Sequence, residues 1–419
     1  MSREELLDSA VASLPPLSTS WRAEPLSSSE REKVQCILRA CRDRDFNTLC
    51  TLASTEGGLV EDGLRRIAWP ILLNCKDTEQ SEKSEEKATL HRDEEQVQLD
   101  VRRSFVYYPQ DEPEQQKQTR KQELSRVITT VLRAHPMLHY FQGYHDIVQV
   151  FLLVLGEDAA ISAVARISLL RIRDFMLPTM SGTESHLHLL PAILYAADSE
   201  LYYHLSQSQP FFALPAILTL YAHDIEEYGV IARLFDFLLA SEAAVPVYLF
   251  AVIVLSRKKQ LLEIEADEPD MLHVTLTKLP KPLDLESLIR QTRNLFAKHP
   301  PQKLPGRAWA KISRYSVLKT SHNLQRLATQ SLADGETMFK LHSAEIERSE
   351  EWKRKRIRMQ QLAKRYREPA KYAGTAAIAL VLAYWLRNTA QADGALAQIL
   401  PLVKRAVYWG SDLLHACLF

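Results

Sequence analysis

Apolar positions along the chain recur at helical rather than strand spacing. Leu64, Ile67, Ala68 and Leu72 stand on one helical face in a stretch entered through Gly57 and Gly58. In "EEQVQLDVRRSFVYYP", Val97, Val101 and Phe105 fall at i, i+4 and i+8, which predicts a helix over 94–107. A short helix is expected near 31–43. Longer patterns follow at 114–134, 145–155, 159–174, 185–207, 211–222, 228–241, 246–264 and 284–297. Pro109, Pro136, Pro178, Pro210 and Pro280 mark the short connections between them. Hairpin turns flanked by alternating apolar residues are missing, and no repeat of solenoid length is visible. The pattern therefore predicts an all-α fold.

Two apolar runs invite a membrane reading. Ala243 to Leu255 contains Pro246 and ends at Arg257, and reads as a core helix. "YAGTAAIALVLAYWL", residues 372–386, carries no charge for 15 residues. Such a helix spans about 22 Å, short of a bilayer core of about 30 Å, so a buried helix competes on length. Its surroundings favour an anchor. Lys371 and Arg387 flank the run, Tyr384 and Trp385 lie at one end, and nine Lys or Arg within 353–371 precede it. The expected order is a flexible N-terminus (1–30), a helical domain (31–298), a linker (299–350), a basic helix (351–371), a transmembrane helix (372–388) and a tail (389–419). The charged residues 76–95 read as a solvated connection.

Composition narrows the function. Hydrophobic residues make up 46% of 419 residues, enough for a large core, while the formal net charge is +0 and gives no whole-chain attraction to nucleic acid. The five cysteines, Cys36, Cys41, Cys50, Cys75 and Cys417, contain no C-x-x-C pair and read as reduced thiols. There is no P-loop, so the chain should hold no nucleotide of its own, and no nucleophile elbow. His135, His139 and His145 cluster in sequence, but Pro136 and Gly143 break any shared helix face, and no metal site is expected.

Two stretches carry candidate chemistry. On a helix, Asp100 and Arg103 differ in direction by only about 60°, so the carboxylate could orient the guanidinium; Arg102 points elsewhere. In "HYFQGYHDIVQVFLLV", Gln142 and Gly143 sit among aromatic residues directly before a core-like run. A neutral amide can orient a water, and a glycine lets the backbone approach another molecule closely. Either stretch alone is better read as a surface ion pair or a capped turn.

Together they resemble the TBC family, the GTPase-activating domains for Rab GTPases. R-x-x-x-W appears as Arg65 to Trp69, I-x-x-D-x-x-R as Val97, Asp100 and Arg103, and Y-Q-G as Phe141, Gln142 and Gly143. The resemblance covers about residues 55–298, with the motif core at 55–245, and within the family it is to membrane-anchored members acting on early-secretory Rab proteins. It implies a two-lobed helical domain that supplies Arg103 and Gln142 in trans to a Rab GTPase in its GTP state. Asp100 would hold Arg103; Arg65 and Trp69 would position helices; Phe141, Gly143 and Tyr144 would support Gln142. Phe141 departs from the motif by lacking a hydroxyl. No cofactor is implied, since the partner carries GTP and magnesium. The expected location is the endoplasmic reticulum membrane or early Golgi, with the catalytic domain cytosolic. The competing function is a catalytically silent scaffold that binds a Rab or a membrane-shaping partner.

Overall fold

The computed structural model describes residues 26–75, 89–109 and 112–388. Among them there is no β-strand. The helices that matter below are α1 (Ser28–Arg42), α2 (Phe46–Ser54), α3 (Asp62–Leu72), α4 (Glu94–Val101), α5 (Glu114–Ala134), α6 (Tyr144–Leu155), α7 (Glu157–Leu170), α8 (Leu189–Ala197), α9 (Tyr228–Leu239), α10 (Val245–Ser256), α11 (Leu285–Lys298) and α12 (Leu332–Asn388).

The chain divides into two compact units, 1–344 and 345–419. In the first, the helices pack in two groups. α4, α5, α6 and α7 pack on one another; α8 and α11 pack on α10. α9 touches α2, α3, α6 and α11, and so joins the groups. Its place at the junction explains its composition: every residue from Ile231 to Leu239 is buried, including Arg233 and Asp236. Trp69 of α3, Phe151 of α6 and Phe235 of α9 meet there, with ring centroids 5.5–6.1 Å apart. α10, the first apolar run, is buried from Val245 to Val254, as a core helix should be.

The second unit contains the remainder of α12. Every side chain from Glu351 to Arg367 is exposed, in keeping with the basic run there. No helix among the described residues is long and apolar enough to cross a membrane. The transmembrane helix expected at 372–388 therefore finds no support: the uncharged run is too short and passes directly into the basic one. The expected tail, the first 25 residues and most of the charged connection lie outside the described residues.

Candidate functional site

The predicted helix over 94–107 stops earlier. α4 ends at Val101, where the Arg103 and Ser104 amides turn back to the carbonyls of Asp100 and Val101 at 2.9 and 3.1 Å. Lys121 Nζ of α5 donates to the Arg102 carbonyl at 2.9 Å, closing the helix end. Phe105 then adopts φ 61°, which keeps its ring in the core although the helix has ended. Its amide is held by Gln149 Oε1 of α6 at 3.0 Å. Val97, Val101 and Phe105 are all buried as the spacing required. Arg103 is left on a turn, exposed, and its guanidinium has no hydrogen bond or ion pair among the described residues.

The role expected of Asp100 needs correction. Its side chain is buried rather than on the outer face beside Arg103. Oδ1 accepts from Gln96 Nε2 at 3.0 Å and Oδ2 from the Tyr140 hydroxyl at 3.0 Å. A buried carboxylate needs such donors, and here they are Gln96 of the same helix and Tyr140 of another segment instead of Arg103. Asp100 touches Arg103 only through its backbone carbonyl.

Tyr140 is the residue that the sequence reading missed. Its amide donates to Asp93 Oδ2 at 2.9 Å, and its hydroxyl lies 3.1 Å from His145 Nδ1. Burial, reinforced by the neighbouring Asp100 charge, holds this phenol far above the usual tyrosine range, so it stays a donor. Nearby, Arg92 Nη2 donates to the Leu138 carbonyl at 2.9 Å, and His91 Nε2 lies 3.1 Å from the same oxygen. The start of α4 is thus bound to segment 137–140, which Phe141 separates from Gln142. The hydroxyl that Phe141 lacks is present one position earlier. Phe141 itself is half-buried, edge-on to Tyr144 (5.6 Å) and Phe175 (6.2 Å).

Gln142 occupies the turn before α6, exposed and without a hydrogen-bond partner among the described residues. The glycine after it is required twice over. Gly143 has φ 98°, which side-chain-bearing residues rarely adopt, and a Cβ there would lie 2.5 Å from Thr219 Cγ2. Behind the turn, Tyr144 is fully buried and its hydroxyl is 2.7 Å from Ser168 Oγ of α7. The odd pairing of a polar amide with a helix breaker is therefore a rigid turn that leaves one amide in solvent.

Arg65 and Trp69 do not join this surface. Both are fully buried, and both bind Asp236 of α9: Arg65 Nη2 to Oδ2 at 2.9 Å and Trp69 Nε1 to Oδ1 at 2.8 Å. Oδ2 also accepts from the Leu59 amide at 2.9 Å. Arg65 Nη1 donates to Asp62 at 2.9 Å, and Tyr228 donates to the same carboxylate at 2.7 Å. The pair fixes α3 against α9. Of the three histidines, His135 Nδ1 pairs with Glu336 at 2.8 Å and His145 Nε2 with Asp146 Oδ1 at 3.2 Å; no group that could hold a metal ion is found among the described residues.

The model of the Rab-GTPase-TBC domain matches residues 62–262, a segment that holds Arg65, Trp69, Asp100, Arg103, Tyr140, Gln142 and Asp236. TBC1 domain family member 20 of Bos taurus is 37% identical over 289 residues, 68% of this chain and 72% of that protein. The chain belongs to the Rab-GTPase-TBC family. The GTPase-activating protein gyp10 of Schizosaccharomyces pombe is 32% identical over 314 residues, 74% of this chain and 83% of its own length. The solved Ypt/Rab-GAP domain of Gyp1p superposes with a TM-score of 0.50 at 14% identity, covering 64% of this chain and 98% of that domain, a likeness of fold. On this TBC fold, Arg103 and Gln142, without side-chain partners among the described residues, lie on turns next to Asp100 and Tyr140, which bond each other.

Proposed function

We propose that the chain accelerates GTP hydrolysis by a Rab GTPase of the early secretory pathway, supplying Arg103 and Gln142 to the partner's nucleotide site. GTPases hydrolyse GTP slowly because charge on the transferred phosphoryl is poorly stabilised and the attacking water is poorly placed. The Arg103 guanidinium supplies the charge, and the Gln142 amide orients the water. An arginine supplied in trans is worth about a thousand- to a hundred-thousandfold in rate, roughly 4–7 kcal/mol. The observation that carries the reading is two exposed side chains of the right chemistry, unpartnered among the described residues, on turns next to segments that the Tyr140–Asp100 and Phe105–Gln149 bonds hold. A free guanidinium and a free amide can meet another protein without first breaking bonds of their own.

The test is a hydrolysis screen of the full chain against a panel of GTP-loaded Rab proteins. Selective acceleration of an early-secretory member supports the proposal; no acceleration across the panel refutes it. Placement at the endoplasmic reticulum belongs to the same proposal and is supported by the basic run before residues 372–386. Diffuse distribution of the full chain, unchanged on removing residues 370–419, would count against it.

A further inference from the structure

A third exposed group stands beside the two turns. His223 lies in the connection between Thr219 and α9, and three contacts fix it there. Thr219, whose Cγ2 fills the space over Gly143, accepts from the His223 amide at 3.5 Å. The Ala222 carbonyl, one residue earlier, accepts from the Tyr108 hydroxyl at 3.3 Å, so the connection also holds the segment that follows Arg103. The imidazole Nδ1 is bonded to Asp146 Oδ2 at 3.0 Å, in the first turn of the helix that Gln142 precedes. The ring is nevertheless 64% exposed, and Nε2 has no bond among the described residues.

We infer that His223 is a binding residue for the GTPase, donating from Nε2 to a carboxylate on the partner's surface beside the Gln142 turn. The inference rests on the function proposed above. With Nδ1 committed to Asp146, Nε2 is the donor that the charged ring has left, and the exposed ring is held beside the first turn of the helix that Gln142 precedes. Val106 and Tyr107 are 73% and 43% exposed and adjoin Tyr108, whose hydroxyl bonds the residue before His223, so apolar area lies on the segment held there. An aromatic and an apolar side chain beside a cationic donor suit a protein partner with an acidic rim.

The charged and titratable neighbours of His223 set its behaviour. Asp146 faces it from α6, with His145 on the far side of that carboxylate. Asp224 adjoins it on its own connection, and Tyr108 approaches from the Arg103 side. The hydrogen bond that Nδ1 donates to the Asp146 carboxylate raises the imidazole above its ordinary value of 6.5, against partial burial. The cation, and the contact it makes, is therefore complete at low pH and is lost as pH rises through that raised value.

The experiment measures kcat and KM of the full chain on the GTP-loaded Rab that the screen selects, from about pH 6 to pH 8.5. Wild type should show KM rising about two- to fivefold with pH, as expected for loss of one rim ion pair, at nearly constant kcat. His223→Lys should keep the low KM throughout; His223→Gln should show the high KM throughout and a weaker salt dependence. A flat wild-type KM, or a His223→Gln variant indistinguishable from wild type, overturns the inference. A fall in kcat instead of a rise in KM also overturns it, because the contact would then be to the reacting phosphate. If no variant accelerates hydrolysis, the same series is read as Kd for Rab loaded with a non-hydrolysable GTP analogue. Binding that follows the predicted pH pattern keeps the role of His223 while the catalytic reading falls; no binding removes both.

Discussion

Tyr140 donates its phenol hydrogen to Asp100 Oδ2 at 3.0 Å, and so joins the segment that carries Gln142 to the helix end that carries Arg103. Two side chains separated by 39 positions in sequence are thereby fixed to one rigid base. Catalysis in trans gains from such a base, because misplacement of a positioned group by about 1 Å can cost a hundredfold in rate.

Tyr140→Phe tests this relationship. It keeps the ring and removes the bond to a buried carboxylate, so stability should fall by about 1.5–3 kcal/mol, the range for a hydrogen bond to a charged group. Hydrolysis should show a lower kcat with a smaller change in KM. Denaturant unfolding and steady-state kinetics check the two halves; wild-type kcat in a destabilised variant would remove the positioning role.

Gly143→Ala should destabilise the chain by about 2–5 kcal/mol, combining a strained backbone with a clash. Thr219→Ala, made in the same background, removes the clash but not the strain. The double variant should therefore recover part of the loss, which a double-mutant cycle measures as a positive coupling. Additive losses would place the difficulty entirely in the backbone.

Asp236→Asn tests the buried support of α3. It leaves Arg65 charged in the core with only Asp62 as an anionic partner, at a cost of about 3–5 kcal/mol. Urea unfolding should show an earlier midpoint with an unchanged slope.

Glu242 gives a prediction in pH. Burial pushes its carboxyl up to about 7 from 4.5, and no hydrogen bond satisfies its side chain among the described residues. The folded chain holds this proton more tightly than the unfolded one does. Stability is therefore full below the unfolded value and falls as pH rises toward and past the folded one. Glu242→Gln should raise Tm at alkaline pH and leave it unchanged near pH 4, where wild type is already neutral. Equal shifts at both ends would mean that charge is not the cause.

Much of the fold was legible because it follows from local periodicity. The stripe of Val97, Val101 and Phe105 and the uniformly apolar α10 both point into the core as read. The same periodicity overextended α4: i, i+4, i+8 spacing buries Phe105 equally well when a turn with positive φ replaces the last helical turn. The motif residues could be named, but their partners could not. Asp236 lies 171 positions from Arg65, and Tyr140 lies 40 from Asp100, so no local pattern joins them. One signal was available: Gln149 is a lone amide inside the run Ile147–Leu155, and it proves to hold the Phe105 amide. Buried polar residues in apolar runs are worth pairing with whatever segment must turn nearby.

The central claim is that Arg103 acts on the partner's GTP from this base while its neighbour does not. Single-turnover hydrolysis by the GTP-loaded Rab, with Arg103→Ala and Arg102→Ala compared at saturating concentration, tests it most directly. Arg103→Ala should lower the rate by about a thousandfold or more, as for loss of an arginine supplied in trans. Arg102→Ala, exposed but held by Lys121 only through its carbonyl, should stay close to wild type. Comparable losses in both, or full activity in Arg103→Ala, would contradict the account.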